Sequence, residues 1–258
     1  MTETPKDLLD KVVLVTGASR GVGAATAKFV AERGGDVVIN YRSKAKRAEA
    51  VAADVEAAGR KAIIAEADVT DTEAVTRMFA ATKDAFGRLD VLILNASGGL
   101  EKDVAEDYAM VLNRDSQVNL AKAALEVLVD GGKIVFVTSH LAHFHGEKPV
   151  MAEYEPVAAS KKAGEVELRK LIPELAERNI TLVVVSGDLI DGTITPKLLQ
   201  RARPGIIEAR REEAGGYLPT TEDFAQAIVD AAANDELASG DTIFVGSTEW
   251  ADDSPTAQ

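Results

Sequence analysis

The sequence predicts an α/β fold: a single doubly wound domain with a parallel seven-stranded sheet and helices on both faces. Two observations predict it. Short β-branched runs alternate with longer helical stretches along the chain, which implies right-handed crossovers between parallel strands. Several of those runs, among them Val12-Val13-Leu14-Val15 and Leu182-Val183-Val184-Val185, are apolar without interruption, as strands covered on both faces are.

The elements follow in order. Lys11 to Thr16 reads as a buried strand and Gly21 to Arg33 as an alanine-rich helix. Asp36 to Tyr41 is a second strand, then Ser43 to Ala58 a helix with Ser43 as its N-cap. Lys61 to Ala67 is a third strand, and Thr72 to Phe86 a helix capped by Asp71 or Thr72. Leu89 to Asn95 is a fourth strand. A helical stretch from about Asp103 to Val129 ends at Gly131-Gly132, before a fifth strand, Lys133 to Thr138. Helix resumes at Pro156 and runs to about Arg178. Ile180 to Val185 and Thr242 to Val245 are the last strands, with helical segments near Pro196 to Arg211 and Glu222 to Ala233 between them. The chain from 1 to 258 shows no domain break, and a frayed tail is expected from about residue 251.

Composition narrows the function classes. The net charge of −13 opposes phosphate backbones and anionic lipid, so neither nucleic acid nor membrane is an expected partner. The absence of cysteine removes thiolate metal sites and a Cys nucleophile. No apolar run approaches the roughly 20 residues of a membrane span. The polar, acidic start has no signal-peptide core, so the cytoplasm is the expected location.

The segment Thr16-Gly17-Ala18-Ser19-Arg20-Gly21-Val22-Gly23 joins the first strand to the first helix. Glycines in this turn let the backbone approach a pyrophosphate, and the helix N-terminus offers unpaired N–H groups to it. That is the dinucleotide-binding device of a Rossmann domain. The end of the second strand reads Asn40-Tyr41-Arg42. No carboxylate is present there to bond a ribose 2′-OH, whereas Arg42 and Arg20 suit a 2′-phosphate. NADP(H) is therefore preferred over NAD(H).

The spacing Gly-x-x-x-Gly-x-Gly after Thr16 resembles the short-chain dehydrogenase/reductase family, over nearly the whole chain. Asp68-Val69 and Asn95-Ala96-Ser97-Gly98 also match, with Ser97 interrupting the family's Asn-Ala-Gly. The resemblance implies that the first pair meets the adenine and the second lies beside the cofactor. It implies hydride exchange with a carbonyl or alcohol, served by Asn, Ser, Tyr and Lys. Ser139, at the end of the fifth strand, matches the serine that positions the carbonyl. Lys161 matches the lysine that binds the nicotinamide ribose. Val118-Asn119-Leu120 looks like the asparagine tripeptide, but the spacing to the Gly-Gly pair selects Asn113. Gly187 and Thr193 stand where the family closes on the nicotinamide.

The tyrosine departs from the pattern. Val157 occupies the first place of Tyr-x-x-x-Lys, and the nearest phenol is Tyr154, giving Tyr-x6-Lys. That spacing resembles the divergent enoyl reductases of the same family. Seven residues on a helix can share a face, although Pro156 biases Glu155 toward an extended shape and Tyr154 toward the incoming loop. Tyr154 is thus either a displaced proton donor or a loop anchor.

Three activities follow: an NADPH-dependent carbonyl reductase, an enoyl reductase, or a cofactor-binding protein without turnover. The stretch from about 189 to 219 reads as a substrate lid. Its Arg201, Arg203, Arg210 and Arg211 read as a solvated helix face, with attraction of an acidic substrate as the alternative. His140, His143 and His145 fall in extra residues after Ser139. His140 or His145 is expected to line the substrate pocket and exchange protons near neutral pH, in preference to the three binding zinc. The family resemblance also implies a homotetramer or homodimer.

Overall fold

The computed structural model describes residues 5–101 and 104–249. Seven parallel strands form one sheet: β1 Val12–Val15, β2 Asp36–Tyr41, β3 Ala62–Glu66, β4 Leu89–Leu94, β5 Leu128–Ser139, β6 Thr181–Gly187 and β7 Thr242–Val245. Their order is β3-β2-β1-β4-β5-β6-β7, so the winding reverses between β1 and β4. Open α/β sheets bind ligands outside the strand C-termini at such a switch point.

Alternation along each strand divides the core. Val13, Val15, Val91, Ile93, Val183 and Val185 face one way. There they meet α1 (Gly21–Glu32), α2 (Ala45–Ala57) and α11 (Thr221–Ala233). Val12, Leu14, Leu92, Leu94, Leu182 and Val184 face the other way. That side is covered by α3 (Thr72–Phe86), α5 (Ser116–Ala124), α7 (Glu155–Arg169) and α8 (Ile172–Ala176). Both faces are buried, which explains the unbroken apolar runs.

Several boundaries differ from expectation. Helix α2 begins after Lys44, and Ser43 does not cap it, whereas the Asp71 side chain accepts from the N–H groups of Glu73 and Ala74 at the start of α3. The long helix expected from about Asp103 is three pieces within 108–124: a short turn α4 (Tyr108–Met110), a π-helical turn (Val111–Asp115) and α5; Asp103 lies outside the described residues. Helix α7 includes Glu155, because Pro156 falls in its first turn where no N–H is needed. It ends at Arg169, and a new helix starts beside Pro173.

The expected lid is a helical pair, α9 (Ile194–Ala202) and α10 (Ile206–Glu213), after β6. Leu199, Ile207 and Leu218 from this region pack with Ala142, Tyr154, Val157, Ala158 and Leu189 in a third apolar cluster. No helix among the described residues is long and apolar enough to cross a membrane. The tail expected to fray lies outside the described residues.

Candidate functional site

Most residues singled out by the sequence follow the C-terminal ends of β1 to β6, with Asn113 and Lys161 on helical segments. Two of the three turn glycines carry the left-handed backbone their position needs, Gly17 at φ +66° and Gly21 at φ +54°. Gly23 is required by space: a Cβ there would lie 2.6 Å from the Gly17 carbonyl oxygen and 2.6 Å from Asn95 Nδ2. No side chain caps the first turn of α1, and no acidic residue lies in it. The positive end of the helix, the open backbone of Ser19 to Gly23 and the exposed Arg20 together fit an anionic dinucleotide.

The polar residues behind this turn build it. Asn40 is 1% exposed. Its Oδ1 accepts from Gly17 N at 3.1 Å, its carbonyl accepts from Ala18 N, and its Nδ2 donates to the carbonyls of Ala65 and Ala67. Expected beside the cofactor, Asn40 instead spends its side chain inside the fold. Tyr41 is also buried, with its hydroxyl donating to Glu66. The exposed Arg42 is the member of this trio that reaches outward, its Nη1 donating to Tyr108 Oη at 2.7 Å. Asp68 holds Thr70 in a local turn and Val69 is buried beneath it. Asn95 and Ala96 are bolted to Thr16: both N–H groups donate to Thr16 Oγ1, and Asn95 Nδ2 donates to the Thr16 carbonyl.

Asn113 lies at the centre of the π-helical turn, 1% exposed; such turns occur often at functional sites. Its Oδ1 accepts from Ser97 Oγ and Gly98 N, and its Nδ2 donates to the Gly98 carbonyl and to Ser160 Oγ. Asn119, the alternative in the sequence, is exposed. Gly164 of α7 permits this arrangement, since a Cβ there would fall 2.1 Å from the Asn113 carbonyl oxygen. A glycine inside a helix is unfavourable, and that was the one signal in the sequence for this close approach. Nothing in the sequence pointed to Ser160 or Tyr108.

Ser139 ends β5 and caps the short helix α6 (His140–His143), accepting from Ala142 N. Its Oγ lies 3.2 Å from Tyr154 Oη. Tyr154 is 5% exposed and is the N-cap of α7, the last residue of the incoming turn, with αR backbone angles. Burial pushes its phenol above the ordinary tyrosine value, and the bond to Ser139 partly opposes that. Val157 is buried one turn on, against Gly99. Lys161, one further turn along, is also buried, and burial pulls its pKa down to about 8. Tyr154, Val157, Ala158 and Lys161 form one stripe of α7.

The three histidines diverge. His140 Nδ1 bonds Ser186 Oγ, His143 Nδ1 bonds Glu165, and His145 Nε2 bonds Glu155. Burial drops His140 to about 4, which takes it below the range for proton exchange near neutral pH. Thr193 donates to the Ile190 carbonyl at the start of α9, and Gly187 is held against the Phe224 ring. The four lid arginines are not one solvated face. Arg210 is 8% exposed and paired with Asp188, Arg211 pairs with Asp191, and Arg201 and Arg203 are exposed.

The family model for short chain dehydrogenases matches residues 11–202. A hydroxynaphthalene reductase-like protein, Arp2, from Metarhizium brunneum is 35% identical over 190 residues, 71% of this chain and 70% of that one. A 1-cyclohexenylcarbonyl-CoA reductase from Streptomyces collinus is 35% identical over 187 residues, 70% of this chain and 65% of that one. Among solved structures, a short chain dehydrogenase from Burkholderia cenocepacia in complex with NADP superimposes with a TM-score of 0.81 at 32% identity, covering 93% of this chain and 97% of that one.

Proposed function

This chain belongs to the short-chain dehydrogenase family and is a nicotinamide-dependent oxidoreductase, and we propose that it reduces a ketone or aldehyde with NADPH, using Tyr154 as proton donor. The observation that carries this reading is the 3.2 Å approach of Ser139 Oγ to Tyr154 Oη, with Lys161 two turns along the same stripe of α7. When bound, the nicotinamide supplies the hydride. Ser139 holds the carbonyl oxygen by its hydroxyl. Tyr154 gives its phenolic proton to that oxygen, and its raised pKa keeps the proton in place for donation at neutral pH. Lys161 Nζ binds the nicotinamide ribose, and its charge meets the phenolate as the proton leaves.

Asn113 holds the segment after β4 at a fixed distance from α7. The turn from Ser19 to Gly23 receives the pyrophosphate, with Asp68 and Val69 at the adenine, and Ala96, Gly187 and Thr193 along the nicotinamide half. Arg42 and Arg20 support NADP(H) over NAD(H), and the NADP-bound structural relative agrees with that preference. The family reading carries assembly into dimers or tetramers, which light scattering checks; Val166 on α7 is 42% exposed.

A second reading, reduction of a conjugated C=C bond, is favoured by the Tyr-x6-Lys spacing and by the Streptomyces relative. NADPH oxidation against a panel of ketones, aldehydes and enoyl thioesters separates the two. Turnover confined to enoyl thioesters replaces the first reading with the second. Cofactor binding without turnover on any member of the panel overturns both.

A further inference from the structure

We infer that the substrate is an apolar molecule carrying an anionic group, bound in a cavity under the helical pair α9–α10 with its charge on Arg203. This rests on the reading above, in which that pair covers the substrate.

The cavity measures about 380 Å³, within the range of small-molecule sites, which spans about 300–1,000 Å³. Leu141, Val150 and Met151 line it from the segment between Ser139 and Tyr154. Leu189 and Ile206 line it from the lid side. Leu189 packs in one cluster with Tyr154, and Leu141, Val150, Met151 and Ile206 pack against that cluster. The cavity thus shares a wall with the cluster that holds the proposed proton donor.

Four charged residues also line it: Asp188, Arg203, Arg210 and Glu213. Three of them satisfy one another. Arg210 binds both oxygens of Asp188, at 2.9 and 2.7 Å, and reaches Glu213 at 3.4 Å. Its remaining donors hold the carbonyls of Ser247 and Glu249. Arg203 makes no side-chain bond among the described residues. It is exposed at the C-terminal end of α9 and is followed by Pro204-Gly205. The lining is neutral in sum, two arginines against two carboxylates, and Arg203 is the cation in it with no direct ion-pair partner among the described residues. A guanidinium beside apolar walls selects a carboxylate or phosphate on an apolar body. The chain's net charge of −13 repels such a ligand at long range, so its capture requires a local cation.

Octanoate and its uncharged counterpart octanamide test this by calorimetry, on the full chain with and without NADPH. The expected result is binding of octanoate about tenfold tighter than octanamide, weakening with salt. That preference should vanish in Arg203→Gln, persist in part in Arg203→Lys, and be unaffected by Arg201→Gln. Arg203 has no partner to lose, so an unchanged melting temperature in Arg203→Gln shows that the fold is intact. Octanoate should also compete with the carbonyl substrate in NADPH oxidation. Equal binding of the two probes, an undiminished preference in Arg203→Gln, or octanoate binding that does not compete each overturn the inference. Lack of turnover across the carbonyl and enoyl panel overturns the reductase reading instead. The calorimetric comparison still decides whether Arg203 selects anions.

Discussion

Ser139 Oγ lies 3.2 Å from Tyr154 Oη, although the two residues are separated by a histidine-bearing helix and loop and Val157 holds the position where the family pattern places the phenol. The hydroxyl pair is complete with a tyrosine three residues early. One helical turn separates positions 154 and 157, so both reach the same side of α7. Tyr154→Phe removes the proton but keeps the ring in its apolar cluster. Turnover should fall by about 10²–10⁴-fold with NADPH affinity unchanged, read by steady-state kinetics and by fluorescence titration of the cofactor. Val157→Tyr should not rescue it. The larger ring meets Gly99 and the buried cluster, and a loss of about 1–3 kcal/mol of stability is expected.

The proposed preference for NADPH rests on Arg42. Its Nη1 is held by Tyr108, which leaves the Nε and Nη2 edge of the guanidinium free to fork a phosphate. Arg42→Ala should weaken NADPH binding about tenfold or more and leave NADH nearly unchanged. Tyr108→Phe should act in the same direction with a smaller effect, because the side chain then loses its preset orientation. Equal affinity of the native chain for NADPH and NADH would remove the preference.

Gly164 tests the support beneath Asn113. Gly164→Ala places a methyl group 2.1 Å from the Asn113 carbonyl oxygen, so α7 or the π-helical turn must shift. A stability loss of about 3 kcal/mol is expected in urea unfolding. A fall in kcat larger than the change in KM should accompany it, because Asn113 also positions the chain at Ser97 and Gly98.

The pairing of Arg210 with Asp188 is buried on both sides, and Arg210 also holds the carbonyls of Ser247 and Glu249 against α10. Arg210→Ala leaves a buried carboxylate without its cation, which costs about 3–5 kcal/mol. A thermal melt should report that loss, and limited proteolysis should find the α9–α10 pair cut earlier.

His140 makes stability depend on pH. In the unfolded chain its imidazole binds a proton near pH 6.5; in the fold it does so only near 4. The unfolded state therefore holds more protons between those values, and the contribution of His140 is complete above pH 6.5 and lost as the pH falls toward 4. The loss amounts to about 3 kcal/mol over that window. His140→Asn, whose amide can donate to or accept from Ser186, should flatten the urea midpoint between pH 6.5 and 4.

By itself the sequence determined the sheet, the glycine turn and the place of Ser139. Each is written locally: in unbroken β-branched runs, in glycines whose backbone angles no other residue adopts readily, and in a hydroxyl at the end of a strand. Only the tertiary structure decided which polar groups face the site. In a linear reading Asn40 looks like a ligand-binding residue and Arg210 like part of a solvated face, yet both are consumed within the fold, by the glycine turn and by Asp188. Asn113 was separated from Asn119 by burial, and Arg203 from Arg210 and Arg211 by its lack of an ion-pair partner and from Arg201 by its place in the cavity wall. Tyr154 met Ser139 because α7 begins a residue before Pro156, carrying the phenol into the cluster beneath the lid. These outcomes depend on pairings across 15 to 50 residues of chain, and local periodicity carries no record of them.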